Sequence, residues 1–290
     1  MPTAFAAAEI DLDRFVDLDR YPVHDLTNAT RSALVAETRD QMRALGCCRI
    51  SNFVRPEAVA AMRDEAVRLH DQVFWSQQDH NPYFSPDDES LPADHPVRTF
   101  QHRESGFINA DLLFADSPLR QIYDSDIIAH FVWECLGIDR PIYRWADPLG
   151  RNPYGVQDPG QGLPWHFDGN EFTVSIAAQK ADSGGLFEYV PNIRRPDAEH
   201  FEQVADVLAG GRDGVRQLDL VPGDMQLFAG RYSMHRVTVV EGASTRYIGL
   251  PSYVFDPFRV NRPHHSVTVY GRATELHHAR ERVLVDGLVD

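Results

Sequence analysis

The most informative stretch of this sequence is Trp165-His166-Phe167-Asp168-Gly169-Asn170-Glu171, because it brings together two side chains that bind metals. His166 and Asp168 stand two positions apart, and side chains at that spacing leave the same face of an extended strand. A neutral imidazole and a carboxylate on one face can bind a divalent ion at two adjacent corners of its coordination sphere. A lone His-X-Asp is a frequent coincidence, so a third ligand must come from elsewhere in the chain.

The sequence offers His235 as that third ligand. It follows a turn in Gly230-Arg231-Tyr232-Ser233-Met234-His235-Arg236-Val237 and stands at the start of a predicted strand. Two histidines and one carboxylate on one face leave coordination positions open, which suits non-haem iron(II) with an organic cosubstrate and dioxygen. Zinc is the alternative, but it favours a tetrahedral site and has no redox chemistry. We therefore predict a catalytic iron(II) site formed by His166, Asp168 and His235.

A cosubstrate is predicted from Arg246, which stands on the next predicted strand after His235. A buried guanidinium needs an anionic partner and can bind a carboxylate through two hydrogen bonds. Ser252 has the same parity along that strand, which would add its hydroxyl to the same carboxylate. A molecule that chelates iron at one end and carries a distal carboxylate at the other fits 2-oxoglutarate. A structural ion pair is the alternative for Arg246 alone.

Short β-strands dominate the chain from about residue 140 to residue 255. Gly and Pro turn signals separate them, as at Ser183-Gly184-Gly185 and Val221-Pro222-Gly223-Asp224. Many short strands at regular spacing predict a sandwich or jelly roll and argue against a parallel α/β sheet. The predicted strands cover residues 142–145, 172–179, 186–190, 215–220, 225–228, 235–240 and 245–253.

The N-terminal half is predicted to be mainly helical. One helix begins near Asn28 and ends at Gly46, before a strand over 47–50, and a second helix begins at Pro56. A third runs from residue 117 to residue 136, and a later helix covers 197–208. Residues 76–97 contain four prolines and should form a long loop, interpreted as a lid or binding loop, with disorder as the alternative.

One domain over residues 1–290 is the simplest organisation. Residues 28–137 would supply helical support and substrate loops, 140–255 the β-core, and 256–290 a C-terminal extension. The pairs His264-His265 and His277-His278 in that extension are interpreted as surface residues. The sequence does not define an oligomeric state.

Composition narrows the classes of partner and the cellular location. The net charge of −15, from 43 acidic and 28 basic residues, argues against nucleic acid and anionic membranes, because both require a basic face. Cys47, Cys48 and Cys135 lack disulfide or zinc spacing and predict buried thiols in a reducing compartment. The N-terminus does not resemble a signal peptide, and no apolar stretch is long enough to span a membrane. We therefore expect a cytoplasmic protein.

Three motifs resemble the iron(II)/2-oxoglutarate-dependent oxygenase superfamily. They are Trp165-His166-Phe167-Asp168, Phe187-Glu188-Tyr189-Val190-Pro191 and Gly230-Arg231-Tyr232-Ser233-Met234-His235-Arg236-Val237-Thr238. More narrowly, they are similar to a group of small bacterial enzymes that act on free amino acids and include hydroxylases and radical halogenases. The resemblance covers roughly residues 140–255. It implies a double-stranded β-helix (cupin-like jelly roll), that is, an all-β core with flanking helices in the α+β class.

The resemblance also implies a reaction. Halogenases of that group carry a small residue, usually Gly, where Asp168 stands, and halide takes the iron position left free. Because Asp168 is present, the resemblance implies hydroxylation of an unactivated C–H bond in a free amino acid or similar small metabolite, with 2-oxoglutarate and O2 consumed. Succinate and CO2 would be released. Desaturation or cyclisation stays open, and a non-catalytic jelly-roll protein that binds a metal or ligand is the rival.

The substrate-binding residues are the least defined part of the predicted site. Asn170 and Glu171 follow the metal-binding stretch, Trp145 precedes the mouth of the roll, and Arg98 follows the Pro-rich loop. Arg103 is an equal alternative to Arg98 as a clamp for a substrate carboxylate.

Overall fold

The computed structural model describes residues 10–281 of this chain. The α-helices in that range are α1 (Ala29–Leu45), α2 (Pro56–Arg68), α3 (Pro118–Asp124), α4 (Asp126–Leu136), α5 (Phe201–Leu208), α6 (Pro263–Tyr270) and α7 (Glu275–Ala279). The β-strands are β1 (Cys47–Ile50), β2 (Phe74–His80), β3 (Gln101–Ile108), β4 (Tyr143–Arg144), β5 (Tyr154–Gln157), β6 (Leu163–His166), β7 (Thr173–Gln179), β8 (Ser183–Gly184), β9 (Phe187–Val190), β10 (Arg216–Leu218), β11 (Met225–Phe228), β12 (Met234–Val237), β13 (Val240–Glu241), β14 (Arg246–Gly249) and β15 (Tyr253–Val254).

Two antiparallel sheets form the centre of the fold. The larger sheet has the strand order β1-β11-β7-β14-β5-β3-β2, and the smaller has the order β10-β9-β12-β6. Two short pairs, β13 with β8 and β15 with β4, complete the strand pairing among the described residues. Most neighbours in each sheet are distant in sequence, as in a jelly roll. The predicted all-β core with flanking helices is confirmed.

The helices cover one face of the larger sheet with apolar side chains. A single buried cluster joins Met62 of α2 and Phe131 of α4 to Ile176 of β7 and Leu227 of β11. Fully burying a side chain of this size stabilises the fold by roughly 1.5–3 kcal/mol. Since side chains alternate along a strand, the residues between these positions point to the opposite face.

That opposite face of the larger sheet is unusually polar. It carries Thr173 of β7, Gln226 of β11, Arg246 of β14, Gln157 of β5 and Arg103 of β3, and the last four are buried. Buried polar groups are costly unless they have partners. A buried polar face on the main sheet therefore indicates a functional site and not a second apolar core.

The ends of the first two helices follow their sequence signals. The side chain of Asn28 accepts hydrogen bonds from the backbone of Thr30 and Arg31, and Gly46 ends α1 at a φ of 60°. Glycine adopts this left-handed conformation at little cost. Pro56 opens α2, where its missing N–H removes no intrahelical bond. Both helix predictions are confirmed.

The predicted loop over residues 76–97 is wrong for its first part. Residues 76–80 belong to β2, which pairs with β3 along seven register positions and extends the larger sheet. The strand was not recognised because its buried side chains are polar: Ser76 and His80 occupy the positions where apolar residues signal a strand. The connecting loop is accordingly shorter than predicted.

Three further boundaries differ from the sequence prediction. The helical stretch over 117–136 is divided at Ser125, whose side chain caps α4. The later helix begins at Phe201 and not at residue 197. The predicted strand over 245–253 is two strands, β14 and β15, because Pro251 between them cannot donate a ladder hydrogen bond.

The C-terminal segment is packed onto the loop before β5. His277 is fully buried, and its Nε2 lies 2.9 Å from Oδ2 of Asp147. The same carboxylate accepts backbone hydrogen bonds from Leu149, Gly150 and Asn261. The interpretation of His277 as a surface residue is therefore wrong. The sequence does not reveal this pairing because its partners lie far apart along the chain.

Two smaller predictions concern the thiols and the membrane. Cys47, Cys48 and Cys135 are free and buried, as predicted. None of the helices described between residues 10 and 281 is long and apolar enough to cross a membrane.

Candidate metal centre

His166, Asp168 and His235 lie together between the two sheets, with one ligand atom of each within 4.8 Å of the others. Nε2 of His235 is 3.4 Å from Oδ1 of Asp168, and Nε2 of His166 is 3.7 Å from the same oxygen. Across residues 10–281 this is the only such group of three histidine, cysteine or acidic side chains. The structure thus brings together the three residues predicted as ligands.

The smaller sheet sets this geometry. His166 is the last residue of β6 and lies directly opposite His235 of β12. Asp168 follows the strand, and its backbone N–H donates to the carbonyl of Gly230 at 3.0 Å. This hydrogen bond holds Asp168 beside the turn that precedes β12, where its carboxylate lies close to both imidazoles.

Backbone carbonyls orient both imidazoles. Nδ1 of His166 lies 2.8 Å from the carbonyl of Pro164, and Nδ1 of His235 lies 3.0 Å from that of Ser233. Since a carbonyl only accepts, each Nδ1 carries a proton, and Nε2 is the ring nitrogen that each histidine presents to the cluster. Burial and then the neighbouring His235 ring lower the pKa of His166 well below its usual value. Neutral imidazole is the form that binds metals.

Asp168 has supporting contacts of its own. The hydroxyl of Thr173 donates to its Oδ2 at 2.9 Å. Burial raises the pKa of Asp168, but the imidazoles of His235 and His166 and the Thr173 hydroxyl together outweigh burial and bring it to about 2. A β-carbon at Gly230 would lie 1.9 Å from Oδ2, so the absence of a side chain there makes room for the carboxylate.

We expect Gly230→Ala to weaken metal binding by roughly 10- to 100-fold, the usual cost of disturbing a ligand's surroundings. The added methyl group must displace Asp168, because the two cannot occupy the same space. Titration with cobalt(II) measures the effect. Gly169→Ala is the matched control, since a β-carbon there meets nothing within 4 Å. Equal cobalt affinity in the two variants would contradict this reading of Gly230.

Arg246 is a buried cation on the facing sheet. Its Nη1 donates to Oε1 of Gln157 at 2.6 Å, and no described carboxylate forms a salt bridge with it. Burial lowers its pKa to about 10, so it stays protonated at physiological pH. A buried guanidinium with only a neutral partner is costly, and an anion would offset that cost.

Ser252 does not share a continuous strand with Arg246. Its hydroxyl donates to the carbonyl of Leu250 at 3.2 Å, and Pro251 interrupts the strand between them. The parity argument that linked the two residues is therefore wrong, although Ser252 is buried.

The four predicted substrate residues are not brought together. Arg98 binds Asp87 at 3.0 Å and the carbonyl of Leu91, so its guanidinium stabilises its own loop. Trp145 is buried with its ring against Gly150. Glu171 faces Arg259 at 3.6 Å. Asn170 is half-buried in the turn after Asp168.

Arg103 is the more deeply placed of the two candidate arginines. It is buried on β3, its Nε donates to the hydroxyl of Ser105 at 2.9 Å, and no described carboxylate forms a salt bridge with it. Its guanidinium carbon lies 5.8 Å from the ring of Phe84 and 5.9 Å from that of Phe107. Burial lowers its pKa to about 10, while Tyr270 and Asp168 act in the opposite direction. Phe84, which lies near Arg103, is also near the ring of His166, so Arg103 lies on the metal side of the sheet.

The sequence did not reveal Phe84 and His80 as neighbours of the site. The ring centroid of His166 is 5.7 Å from that of Phe84 and 6.3 Å from that of His80. Both come from the segment that had been interpreted as a loop. Residues 76–80 are all polar, so apolar periodicity gave no signal for this strand.

The fold is that of the 2-oxoglutarate-iron(II) oxygenases. The non-haem α-ketoglutarate-dependent epimerase SnoN from nogalamycin biosynthesis is similar, with 14% identity, a TM-score of 0.53, and coverage of 77% of this chain and 81% of that one. An oxidoreductase of the 2OG-Fe(II) oxygenase family from Burkholderia pseudomallei has 12% identity and a TM-score of 0.50, covering 77% and 91%. A Trichoplax adhaerens prolyl hydroxylase, solved with a hypoxia-inducible-factor peptide, has 16% identity and a TM-score of 0.50, covering 77% and 90%.

A family model described as Halogenase D matches residues 100–255, which is more than half of the chain. The chain belongs to this family. No curated protein matches it.

The residues present fit an iron(II) ion and 2-oxoglutarate. Two imidazoles and one ionised carboxylate converge at this point, and this set of donors is typical of non-haem iron(II) oxygenases. The buried guanidinium of Arg246, with only an amide oxygen as partner, suits the distal carboxylate of the cosubstrate.

Proposed function

We propose that this protein is an iron(II)/2-oxoglutarate-dependent dioxygenase that hydroxylates an unactivated C–H bond of a free amino acid or similar small metabolite. The observation that supports it most strongly is the His166, Asp168 and His235 cluster, in which both histidines are buried and the carboxylate is ionised and held by Thr173. Iron(II) bound there would supply the oxidation of the substrate, coupled to conversion of 2-oxoglutarate and O2 to succinate and CO2.

Asp168 favours oxygenation over halogenation. The halogenases that resemble this chain carry a small residue, usually glycine, at this position and bind halide there. In this protein Oδ1 of Asp168 lies 3.4 Å from Nε2 of His235, Thr173 binds Oδ2, and Gly230 leaves space for the group. The surrounding residues therefore hold the carboxylate beside the two histidines, and it would take the coordination position that halide needs.

Arg246 would hold the distal carboxylate of 2-oxoglutarate. It lies on β14, the central strand of the polar sheet face, and Gln157 orients its guanidinium. Hydrogen bonds to charged groups are worth about 1.5–3 kcal/mol each, so a two-point contact would dominate cosubstrate affinity.

The surroundings of Arg103 support the proposal that the substrate carries a carboxylate. Its guanidinium is buried, lies between two aromatic rings and has an uncharged hydroxyl as its hydrogen-bond partner. A rigid, planar cation held in this way is suited to two-point binding of a carboxylate. An amino acid carries such a carboxylate.

We expect Arg103→Gln to raise the KM for the amino acid by roughly 10- to 100-fold, because it removes hydrogen bonds to a charged group. Succinate release without the amino acid should not change, since Arg103 is not assigned to the cosubstrate. Arg98→Gln is the matched control: Arg98 pairs with Asp87 in the loop and should leave the KM nearly unchanged. An equal effect of both substitutions would argue against a substrate contact by Arg103.

The proposed function is tested by a screen of free amino acids for succinate release with iron(II), 2-oxoglutarate and air. Mass spectrometry of the products distinguishes hydroxylation, which adds one oxygen atom, from desaturation or cyclisation, which removes two hydrogen atoms. Anaerobic addition of iron(II) and 2-oxoglutarate should also produce a visible charge-transfer band. Absence of both the band and succinate would favour a non-catalytic protein with the same fold.

A further inference from the structure

Phe84 has a backbone conformation that is costly for its type of side chain. Among the described residues outside glycine, positive φ angles occur at two asparagines, His200 and Phe84, whose φ is 56°. Asparagine tolerates this region because its side chain can bond locally, whereas a bulky residue there is a genuine outlier. Such strain persists only where the surroundings impose it, and it is concentrated at functional sites.

Asn81 imposes the conformation. Its side chain is fully buried, and its Oδ1 accepts from the backbone N–H groups of Tyr83 and Ser85 on either side of Phe84. Its Nδ2 donates to Ser85 and to the carbonyl of Val97 across the loop. One side chain thus fixes both ends of the strained residue.

The strain lets two consecutive aromatic rings contact different sides of the metal-binding segment. The ring of Tyr83 stacks on Phe167 at 5.3 Å, and the carbonyl of Pro82 accepts from the backbone of Phe167 at 2.8 Å. Phe84 turns to the other side, where its ring lies 5.7 Å from that of His166. It stacks on the buried ring of His80 at 4.2 Å.

Phe84 therefore lies close to both the metal cluster and Arg103. Its ring centroid is 5.7 Å from the His166 ring and 5.8 Å from the Arg103 guanidinium carbon. The ring is half-buried, so one side stays accessible. A molecule that binds Arg103 with its carboxylate and presents a carbon atom to the metal would lie near this ring.

We infer that Phe84 is a specificity-determining residue whose ring forms the wall against which the carbon chain of the substrate packs. The inference rests on the proposed function and deepens it: the wall and Arg103 together set which carbon of an amino acid reaches the metal. The loop that carries Phe84 is held rigidly by Asn81, so the wall is formed before the substrate binds. Such preorganisation reduces the entropic cost of binding.

The test uses three substitutions that distinguish the effect of the aromatic ring from the effect of the strained backbone conformation. Phe84→Tyr keeps the ring, whereas Phe84→Ala and Phe84→Gly both remove it and differ only in their tolerance of a positive φ. Binding of alanine, 2-aminobutyrate, norvaline and norleucine is measured by calorimetry on protein loaded with zinc and 2-oxoglutarate. Zinc cannot do redox work, so binding is observed without turnover.

We expect Phe84→Ala and Phe84→Gly to weaken binding of the preferred amino acid by the same factor, about tenfold or more. Both should shift the preference toward longer side chains, and Phe84→Tyr should bind like the wild type. The thermal unfolding midpoint of Phe84→Gly should exceed that of Phe84→Ala, because glycine relieves the backbone strain.

Two results would overturn the inference while leaving the proposed function intact. Recovery of wild-type affinity in Phe84→Gly would show that Phe84 acts only through the stability of the loop. Uniform weakening of the whole amino acid series would show that it acts only by positioning Arg103. If the wild type binds none of the series and releases no succinate with any amino acid, the proposed substrate class is wrong and the inference fails with it.

Discussion

Replacing Asp168 with alanine should abolish both succinate release and substrate hydroxylation. The change removes the only carboxylate of the cluster and leaves two imidazoles. Loss of an outer hydrogen-bond partner costs roughly 10- to 100-fold in metal affinity, and loss of a ligand itself should cost more. Iron(II) affinity by competitive titration and succinate by mass spectrometry measure the two effects separately.

Thr173→Val provides the graded comparison for this experiment. It removes the 2.9 Å hydrogen bond to Oδ2 of Asp168 but keeps the carboxylate and the shape of the side chain. We expect about a tenfold loss of metal affinity, the lower end of the range for outer contacts. Metal affinity should therefore be highest in the wild type, lower in Thr173→Val and lowest in Asp168→Ala. An Asp168→Ala protein with an unaltered rate would refute the metal assignment.

The metal cluster could be predicted from the sequence because two of its three residues are close together in the chain. His166 and Asp168 are separated by one residue on a strand-like segment, and the spacing alone puts them on one face. His235 required one further step, the expectation that strands far apart in sequence become neighbours in a jelly roll. The register confirms that step, since His235 lies directly opposite His166.

The strands on the proposed substrate side of the site could not be predicted from the sequence, because their residues do not follow the usual apolar pattern of a strand. The inward positions of β2 and β3 include Ser76, His80, Arg103 and Ser105, all of them polar and buried. Prediction from periodicity depends on apolar residues facing a core, whereas this face of the sheet is the one on which we propose that the substrate binds. The polar composition that prevented recognition of β2 and β3 also makes this face of the sheet suitable for a charged ligand.

Positions that depend on tertiary partners were also missed. His277 looked like a surface histidine, but Asp147 and the C-terminal helices bury it. Phe84 carries no sequence signal for its left-handed conformation, which results from hydrogen bonds made by Asn81. Such contacts are set by packing between distant segments, and no spacing rule describes them.

Replacing Arg246 with methionine should weaken 2-oxoglutarate binding by at least about 100-fold, because two hydrogen bonds to a charged group are lost at about 1.5–3 kcal/mol each. Metal affinity should not change, since Arg246 lies on the larger sheet and is not part of the His166, Asp168 and His235 cluster. The KM for 2-oxoglutarate in the succinate assay and cobalt(II) titration measure the two quantities. Arg236→Met is the matched control, because Arg236 binds Glu188 and lies over the ring of Trp165.

The stability of the Arg246→Met protein distinguishes a binding role from a structural one. Arg246 has no carboxylate partner among the described residues, and burial already lowers its pKa to about 10. Replacing a buried charge with an apolar side chain of similar length is often neutral or stabilising. We therefore expect the unfolding midpoint to stay at or above that of the wild type while cosubstrate affinity falls. A clear loss of stability with unchanged affinity would assign Arg246 to the fold.

The choice of cosubstrate gives the sharpest form of this prediction. A site built around a cation should reject 2-oxo acids without a distal carboxylate, since binding them leaves the guanidinium buried and unpaired. In Arg246→Met the same pocket is apolar, so 4-methyl-2-oxopentanoate should compete with 2-oxoglutarate far better than it does in the wild type. A reversal of preference cannot come from general damage to the fold, because damage would weaken both acids together. Unchanged discrimination in the variant would mean that some other group binds the distal carboxylate.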